Sequence, residues 1–163
     1  MTYEETLHYL YTSIPVFQHS GASAYKPGLG TSIALDDYLG NPHKAYKTIH
    51  VAGTNGKGSV SHLLAAILRQ SGFKVGLYTS PHLVDFRERI RVNGKKISQD
   101  YVVDFVERHR SFFEPLHPSF FELTSSMAFE YFRDQQVDYA VIEVGLGGRL
   151  DSTNTVSYTH LRA

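Results

Sequence analysis

The sequence contains no cysteine, and this absence excludes several kinds of chemistry at once. Disulfides, thiolate metal sites and a cysteine nucleophile all need the missing side chain. An excess of either charge is also lacking, because sixteen Lys and Arg residues balance sixteen Asp and Glu residues. No global field would therefore draw the chain to nucleic acid or to an anionic membrane. Any binding of phosphate must be local.

Long apolar runs are absent as well. No stretch approaches the ~20 apolar residues that are needed to cross a bilayer. Residues 1–10 carry Glu4 and Glu5 and lack the basic segment and apolar core of a signal peptide. The length of 163 residues suits one domain. We expect a cytoplasmic monomer that binds small molecules and neither nucleic acid nor membrane.

The most informative segment that is present is the glycine-rich stretch at residues 51–59, VAGTNGKGS. An apolar run at residues 48–52 predicts a strand before it, and an apolar-periodic run at residues 60–70 predicts a helix after it. Free backbone N–H groups and the helix dipole favour an anion at a helix N-terminus. The stretch therefore predicts a cradle for the phosphates of ATP, formed by Gly53, Thr54, Asn55, Gly56, Lys57, Gly58 and Ser59.

The match to the strict P-loop pattern is incomplete. That pattern has Ser or Thr directly after the lysine, whereas Gly58 follows Lys57 here. It also has a glycine where this chain has Val51. A plain strand-to-helix connection without a ligand is the alternative interpretation.

Helices and strands alternate along the rest of the chain. Helices are predicted at residues 4–11, 31–39, 98–110 and 120–134, and strands at residues 74–78, 89–92, 95–97 and 139–144. Asn93-Gly94 predicts a hairpin between two of these strands. The order indicates an α/β fold that contains a P-loop and a mostly parallel sheet flanked by helices. We expect one stripe of the helix at 60–70 to face the core: Val60, Leu63, Leu64, Ile67 and Leu68.

Polar residues follow the predicted strands, where open α/β sheets bind their ligands. Glu143 lies near the end of the apolar strand at 139–144, and an ionised side chain there is costly to desolvate without a partner. A Mg²⁺ ion beside the triphosphate would be such a partner. An ion pair with Arg149 is the alternative. Ser80 could supply a hydroxyl ligand to the same ion, or could be a turn residue before Pro81.

Other polar and aromatic residues have structural explanations. A histidine that stands alone, such as His82, is usually structural. Three arginines alternate as in an exposed strand and predict a solvated edge: Arg87, Arg89 and Arg91. The pair Phe120-Phe121 would normally belong to the core, yet it opens a helix, where a flat ligand could stack.

Three motifs, read together, resemble one family. They are GTNGKGS at residues 53–59, YTSPHL at 78–83 and EVGLGGRLDSTN at 143–154. Their order and spacing are similar to those of the folylpolyglutamate synthase/dihydrofolate synthase family, a branch of the Mur-ligase-like ATP-dependent amide ligases. The resemblance covers residues 1–155. The glycine between Lys57 and Ser59 is a feature of that family.

The resemblance implies an activity and a set of site residues. ATP would phosphorylate the carboxylate of dihydropteroate or of a folate's terminal glutamate, and the amine of L-glutamate would attack the acyl phosphate. Lys57 and Glu143 would be catalytic, and Ser80 and Glu143 would bind Mg²⁺. The pterin would contact Phe121, Glu122, Leu150 and Asp151. The segment YKPGL at residues 25–29 resembles the family's N-terminal substrate loop.

The chain also departs from that family. Its members are more than twice as long and carry a further metal-binding His, a carbamylated Lys and a second Rossmann-like domain. We expect residues 1–155 to form an incomplete N-terminal ATP-binding domain, residues 156–163 to be a non-native tail, and the C-terminal glutamate-ligase domain to be absent. Such a fragment should be inactive alone. The alternatives are another P-loop NTPase or kinase, and an ATP-binding fragment without turnover.

Overall fold

The computed structural model describes residues 1–14, 28–145, 151–156 and, for the backbone alone, 159–162. Its helices are α1 (Tyr3–Thr12), α2 (Gly30–Tyr38), α3 (Lys57–Gln70), α4 (Gln99–Phe113) and α5 (Phe120–Asp134). Its strands are β1 (Lys47–Ala52), β2 (Val75–Tyr78), β3 (Ile90–Val92), β4 (Lys95–Lys96), β5 (Tyr139–Glu143) and β6 (Thr159–Arg162). Short 3₁₀ helices cover Pro42–Ala45, Phe86–Arg89, Glu114–Leu116 and Ser152–Thr155.

Polar caps explain why two of the helices begin where the sequence predicts. The Ser119 hydroxyl accepts a hydrogen bond from the Glu122 amide, and the Glu122 carboxylate accepts one from the Ser119 amide at 2.7 Å. At the start of α4, the Ser98 hydroxyl accepts a hydrogen bond from the Tyr101 amide. Caps of this kind satisfy N–H groups that have no partner inside the helix.

The six strands form one sheet in the order β4-β3-β2-β5-β1-β6. Strands β2, β5, β1 and β6 run parallel, and the β3–β4 hairpin continues the sheet in the antiparallel sense. The predicted α/β fold, with its mostly parallel sheet flanked by helices, is therefore confirmed. Because β1, β2 and β5 are parallel, their carboxyl ends meet at one edge of the sheet.

The helix after the glycine-rich loop differs from prediction at both its start and its packing. It begins at Lys57, not at residue 60. Val60, Leu64 and Leu68 pack on the sheet, but Leu63 and Ile67 are 64% and 61% exposed. The predicted five-residue stripe is therefore wrong for these two. Among the described residues, α3 is the one helix that contributes to the small apolar cluster on this face of the sheet. No second helix of that cluster covers the outer side of α3.

The carboxyl-terminal segment, predicted to be a non-native tail, adds a strand to the sheet. Thr159–Arg162 pairs in parallel with β1. The physical reason is that an edge strand presents unpaired N–H and C=O groups to any extended backbone beside it. Whether this segment is native is a separate question, and its non-native origin stays a prediction.

A buried acid and a buried histidine lie between α2 and the 3₁₀ helix that follows it. Nδ1 of His43 lies 3.6 Å from Oδ2 of Asp36, and both residues are at most 5% exposed. Burial raises the pKa of Asp36 to about 6 from the ordinary 3.8 and lowers the pKa of His43. Desolvation therefore shifts both groups toward their neutral forms.

Replacing this acid should change how stability depends on pH. The unfolded chain loses the Asp36 proton near pH 4 and the folded chain near pH 6, so stability falls as the pH rises through this window. Asp36→Asn should abolish that fall and exceed the wild type by roughly 3 kcal/mol above pH 6. Urea unfolding at half-unit steps from pH 4 to 7 measures both curves. Parallel curves for the two proteins would contradict the prediction.

Candidate functional site

The glycine-rich loop joins the carboxyl end of β1 to the N-terminus of α3. Gly56 caps the helix with a φ of 78°, a left-handed conformation that favours glycine. The first amide bonded along the helix is that of Val60, which donates to the Gly56 carbonyl at 3.0 Å. The amides of Lys57, Gly58 and Ser59 come before this bond, so they belong to the group that a helix leaves for caps, water or an anion.

Lys57 folds back over this loop. Its ammonium group donates a hydrogen bond to the Gly53 carbonyl at 2.9 Å, and the side chain is half-buried. Thr54, Asn55 and Ser59 are exposed on the rim. The lysine therefore places one positive charge inside the loop, where an incoming phosphate could exchange with the carbonyl.

Glu143 faces the same loop from the neighbouring strand. In the β1–β5 register it pairs with Val51, and its side chain is buried. A Cβ built on Gly58 would lie 3.7 Å from Oε1 of Glu143. The acid and the turn are thus close enough for one ion to contact both. A glycine at position 58 leaves open the space in front of the carboxylate.

Burial raises the pKa of Glu143, and nearby groups oppose this only in part. The opposing groups are the Ser80 amide, which donates to Oε2 at 3.0 Å, and the charges of Lys57, His62 and Arg89. Among the described residues, no cation lies within ion-pair distance of the carboxylate. A desolvated carboxylate of this kind is suited to a metal ion.

The hydrogen bond from the Ser80 amide to Glu143 brings together the two residues predicted to hold Mg²⁺. Ser80 follows β2 and Glu143 ends β5, and these strands are paired. No group of three or more His, Asp or Glu side chains in the described ranges is arranged to hold a metal. A cation at this place would therefore need further ligands from outside the protein, such as phosphate oxygens and water.

The predicted aromatic contact also lies at the end of β5. A Cβ on Gly145 would overlap the Phe121 ring, so the ring packs directly on the backbone of Gly145. The carboxylate of Asp151 accepts a hydrogen bond from the Gly145 amide at 3.1 Å. Phe121 and Asp151 therefore converge beside Glu143.

The two acids predicted to contact a pterin, Glu122 and Asp151, have structural partners in the chain. The Glu122 carboxylate completes the cap of α5 and lies 3.4 Å from the Ser32 hydroxyl. Asp151 accepts hydrogen bonds from the amide and hydroxyl of Thr153. Their roles toward a ligand stay predictions. Leu150, Arg149 and the segment at residues 25–27 lie outside the described residues.

Sequence reasoning missed Arg89. The predicted solvated edge is wrong for this residue, because Arg89 is only 5% exposed and its Nε donates to Nδ1 of His82 at 2.7 Å. The chain preceding β3 forms a 3₁₀ helix, so the alternation of a strand does not apply there. A charged residue directly before a buried strand was the available signal.

Known proteins resemble this chain along nearly its whole length. No family model matches the sequence. Curated relatives include a dihydrofolate synthase/folylpolyglutamate synthase of Bacillus subtilis, 43% identical over 80% of this chain, and a folylpolyglutamate synthase of Lacticaseibacillus casei, 39% identical over 96%. A folylpolyglutamate synthase structure from Thermotoga maritima has a TM-score of 0.86 at 48% identity and covers 96% of the chain. The chain belongs to the folylpolyglutamate synthase/dihydrofolate synthase family.

The chain spans only part of these family members. It covers 32% of the Bacillus protein, 37% of the Lacticaseibacillus protein and 36% of the Thermotoga chain. An Escherichia coli FolC structure in complex with DHPP and ADP has a TM-score of 0.83 at 33% identity, and the chain covers 38% of it. Among the described helices, none is long and apolar enough to cross a membrane.

A change in stability on replacing the buried Glu143 carboxylate tests whether this group serves a ligand or the fold. Glu143→Gln removes a desolvated charge but keeps an oxygen that can accept from the Ser80 amide. We expect the free energy of unfolding at pH 7, without ligand, to rise by about 0.5–2 kcal/mol, as when a functional site is relaxed. Urea unfolding measures this change.

A matched substitution separates this effect from a generic loss of charge. Glu122→Gln keeps a side-chain oxygen that can accept from the Ser119 amide but loses a negative charge at the helix N-terminus, so it should lower stability by about 0.3–1 kcal/mol. A loss of stability in Glu143→Gln as well would mean that Glu143 has a structural partner and would contradict the prediction.

Proposed function

We propose that this chain is the N-terminal ATP- and Mg²⁺-binding domain of a ligase that adds L-glutamate to dihydropteroate, to the terminal glutamate of tetrahydrofolate, or to both. One observation carries the proposal: the buried Glu143 carboxylate faces the glycine-rich loop across Gly58, with Lys57 beside it. A plain strand-to-helix connection has no need of a desolvated acid in front of its helix N-terminus.

The loop would hold the triphosphate. The amides of the first turn of α3 would donate to phosphate oxygens, and the Lys57 ammonium would exchange its bond with Gly53 for the β- and γ-oxygens. Phosphoryl transfer depends mainly on positioning and charge neutralisation, which these groups supply. Complexes of two relatives support this assignment, one with AMPPCP and one with ADP.

Glu143 and Ser80 would hold Mg²⁺. Three features make the two residues suited to the ion: the buried carboxylate, the hydrogen bond that joins Ser80 to Glu143, and the open space at Gly58. The ion, when bound, would neutralise charge on the phosphates and on the acceptor. The protein's own contribution is to keep the Glu143 carboxylate desolvated and aimed at the loop.

The acceptor would lie on the aromatic side of the same edge. Phe121 packs on the chain two residues after Glu143, which supports its place against a flat pterin ring. Glu122 and Asp151 would shape this pocket by fixing the start of α5 and the turn after β5. Leu150 would complete the contact.

The reaction would make an amide from an unreactive carboxylate. The γ-phosphoryl group of ATP moves to an acceptor carboxylate oxygen and ADP leaves. The amine nitrogen of glutamate then attacks the carbonyl carbon, the carbon–oxygen bond to phosphate breaks, and an amine proton is lost. Catalytic roles fall to Lys57 and Glu143 in the first step. Residues beyond this chain would be needed for the second step, since the chain spans about a third of its relatives.

The ligands of this proposal are small molecules: ATP, glutamate and a pteroate or folate. The equal numbers of acidic and basic residues supply no field for nucleic acid. We place the protein in the cytoplasm because ATP is available there. A monomeric state stays a prediction.

Lys57→Ala tests the phosphate-binding role. We expect the affinity for MgATP to fall at least tenfold, about 1.4 kcal/mol, because the charge on the β- and γ-oxygens loses its counterpart. The melting temperature should change little, since the one hydrogen bond of the side chain within the described residues goes to the Gly53 carbonyl at the loop. Isothermal titration calorimetry measures the affinity. Lys95→Ala removes an exposed lysine from β4 and should change nothing.

Three outcomes discriminate among the candidate functions. In the full-length enzyme, glutamate-dependent phosphate release in the presence of dihydropteroate supports the ligase, and transfer to a hydroxyl acceptor supports a kinase. Binding of MgATP without turnover in the full-length enzyme would identify a nucleotide-binding protein that is not a ligase. Equal affinities of Lys57→Ala and wild type would remove the lysine from the site.

Gly58→Ala tests the space in front of Glu143. The added methyl would lie at ordinary contact distance, 3.7 Å, from Oε1, so the fold should persist and α3 should gain up to about 1 kcal/mol of helix propensity. The methyl would nevertheless fill the gap that a cation needs. We expect at least tenfold weaker binding of MgATP together with an unchanged or higher melting temperature.

A control at the other end of the helix isolates the effect of position. Gln70→Ala, in the last turn of α3, should retain full affinity. Full affinity in Gly58→Ala would show that the cation does not occupy this gap.

A further inference from the structure

Arg89 is a buried cation that pairs with no Asp or Glu side chain of the described residues. All sixteen Asp and Glu residues of the sequence fall within the described residues. None of them lies within ion-pair distance of the Arg89 guanidinium, although Arg89 is only 5% exposed. Arginine is almost never fully buried without a paired charge. A missing anion is therefore the simplest physical account of this arrangement.

The contacts of Arg89 orient it without neutralising it. Nε donates to Nδ1 of His82 at 2.7 Å, so the His82 proton lies on Nε2, which is 3.2 Å from the Tyr11 hydroxyl. Burial and the charge of Arg89 lower the pKa of His82, in agreement with a neutral ring. The guanidinium carbon lies 5.2 Å from the ring centroid of Phe120.

The two terminal nitrogens of Arg89 are left for another partner. A guanidinium group has five N–H donors, and Nε supplies one of them. Within the described part of the chain, the terminal nitrogens make no hydrogen bond. A planar pair of donors of this kind matches a carboxylate, which accepts two parallel hydrogen bonds.

Arg89 lies at the same edge of the sheet as the glycine-rich loop. Tyr78, the last residue of β2, pairs with Ile90 on one side and with Ile142 on the other. The backbones of Arg89 and Glu143 are therefore separated by one intervening strand, or about 10 Å at a strand spacing of about 4.8 Å. The charge of Arg89 also acts on the Glu143 carboxylate.

Aromatic rings at the margin of the core adjoin the cation. The rings of Tyr11 and Phe120 stack with centroids 5.3 Å apart, and Phe86 packs edge-on against Phe120 at 6.0 Å. A ligand that carries a carboxylate on an aromatic ring could place the acid on the guanidinium and the ring near these faces. The site therefore combines the positively charged, planar pair of donors of Arg89 with apolar side chains.

We propose that Arg89, held by His82, binds a carboxylate of the acceptor substrate beside the site of phosphorylation. This inference rests on the proposed function and adds to it a residue that holds the acceptor's acid. The physical need is plain, because the acceptor carboxylate and the triphosphate are both anions and repel each other. A buried guanidinium beside the acceptor offsets that repulsion and orients the acid.

Two probes that differ only in charge test the proposal: pteroate and its carboxamide. We expect wild type to bind pteroate at least tenfold more tightly than the carboxamide. Arg89→Gln should lose this preference by weakening pteroate alone, with the carboxamide and MgATP unaffected. Isothermal titration calorimetry gives each affinity, with and without MgATP. Arg91→Gln is the matched control, since Arg91 lies two residues away and its Nε donates to the Glu88 carbonyl.

Other results would overturn the proposal. A preference for pteroate that survives in Arg89→Gln, or that wild type lacks, removes Arg89 from the acceptor site. Weaker MgATP with unchanged pteroate would assign Arg89 to the phosphates. A lower melting temperature with equal losses for both probes would make the residue structural. Failure of wild type to bind MgATP would instead defeat the proposed function, and the titrations without nucleotide keep the two failures distinct.

A second variant covers a failure to fold. Arg89→Lys keeps the charge but loses the planar pair of donors. It should fold like wild type and retain only part of the preference for pteroate, with a several-fold reduction. A preference equal to that of wild type would overturn the role of the planar pair of donors.

Discussion

The approach of the Glu143 carboxylate to the glycine-rich loop is the interaction on which the rest of the site depends. It follows from the register of β1 and β5, in which Val51 pairs with Glu143 and the Val144 amide donates to the Val51 carbonyl at 3.0 Å. A shift of one residue would turn Glu143 to the opposite face of the sheet. The loop would then remain, but no acid would face it.

Helix α5 holds the other wall of the site in place. Its residues are buried along most of the length, and it packs under β2 through Phe132 and Gly76. Tyr78 joins it through a contact of 3.1 Å with the Thr124 hydroxyl. A helix buried this fully has few alternative positions, because protein interiors are close-packed. The packing of α5 in the core, and not the loop, therefore fixes Phe121 against Gly145.

Local signals made much of the fold predictable, and long-range packing made the rest unpredictable. Capping residues and periodicity predict α4, α5 and the strand before the loop, because these depend on neighbours in sequence. The approach of Glu143 to the loop follows from strand order and chemistry. The burial of Arg89 does not, since it depends on contacts with His82 and Phe120 that no local pattern encodes. The exposure of Leu63 was also not predictable, because it depends on which other parts of the protein cover α3.

The two buried charges at this edge have opposite signs, yet they do not pair with each other. An ion pair between Glu143 and Arg89 would satisfy both and leave neither for a ligand. One intervening strand separates their backbones, and the two groups form no ion pair, so each keeps a need for a counter-ion. Burial of each charge costs stability, and the cost persists in the unliganded chain. That pattern is expected where a cation and an anion must bind side by side at neighbouring positions.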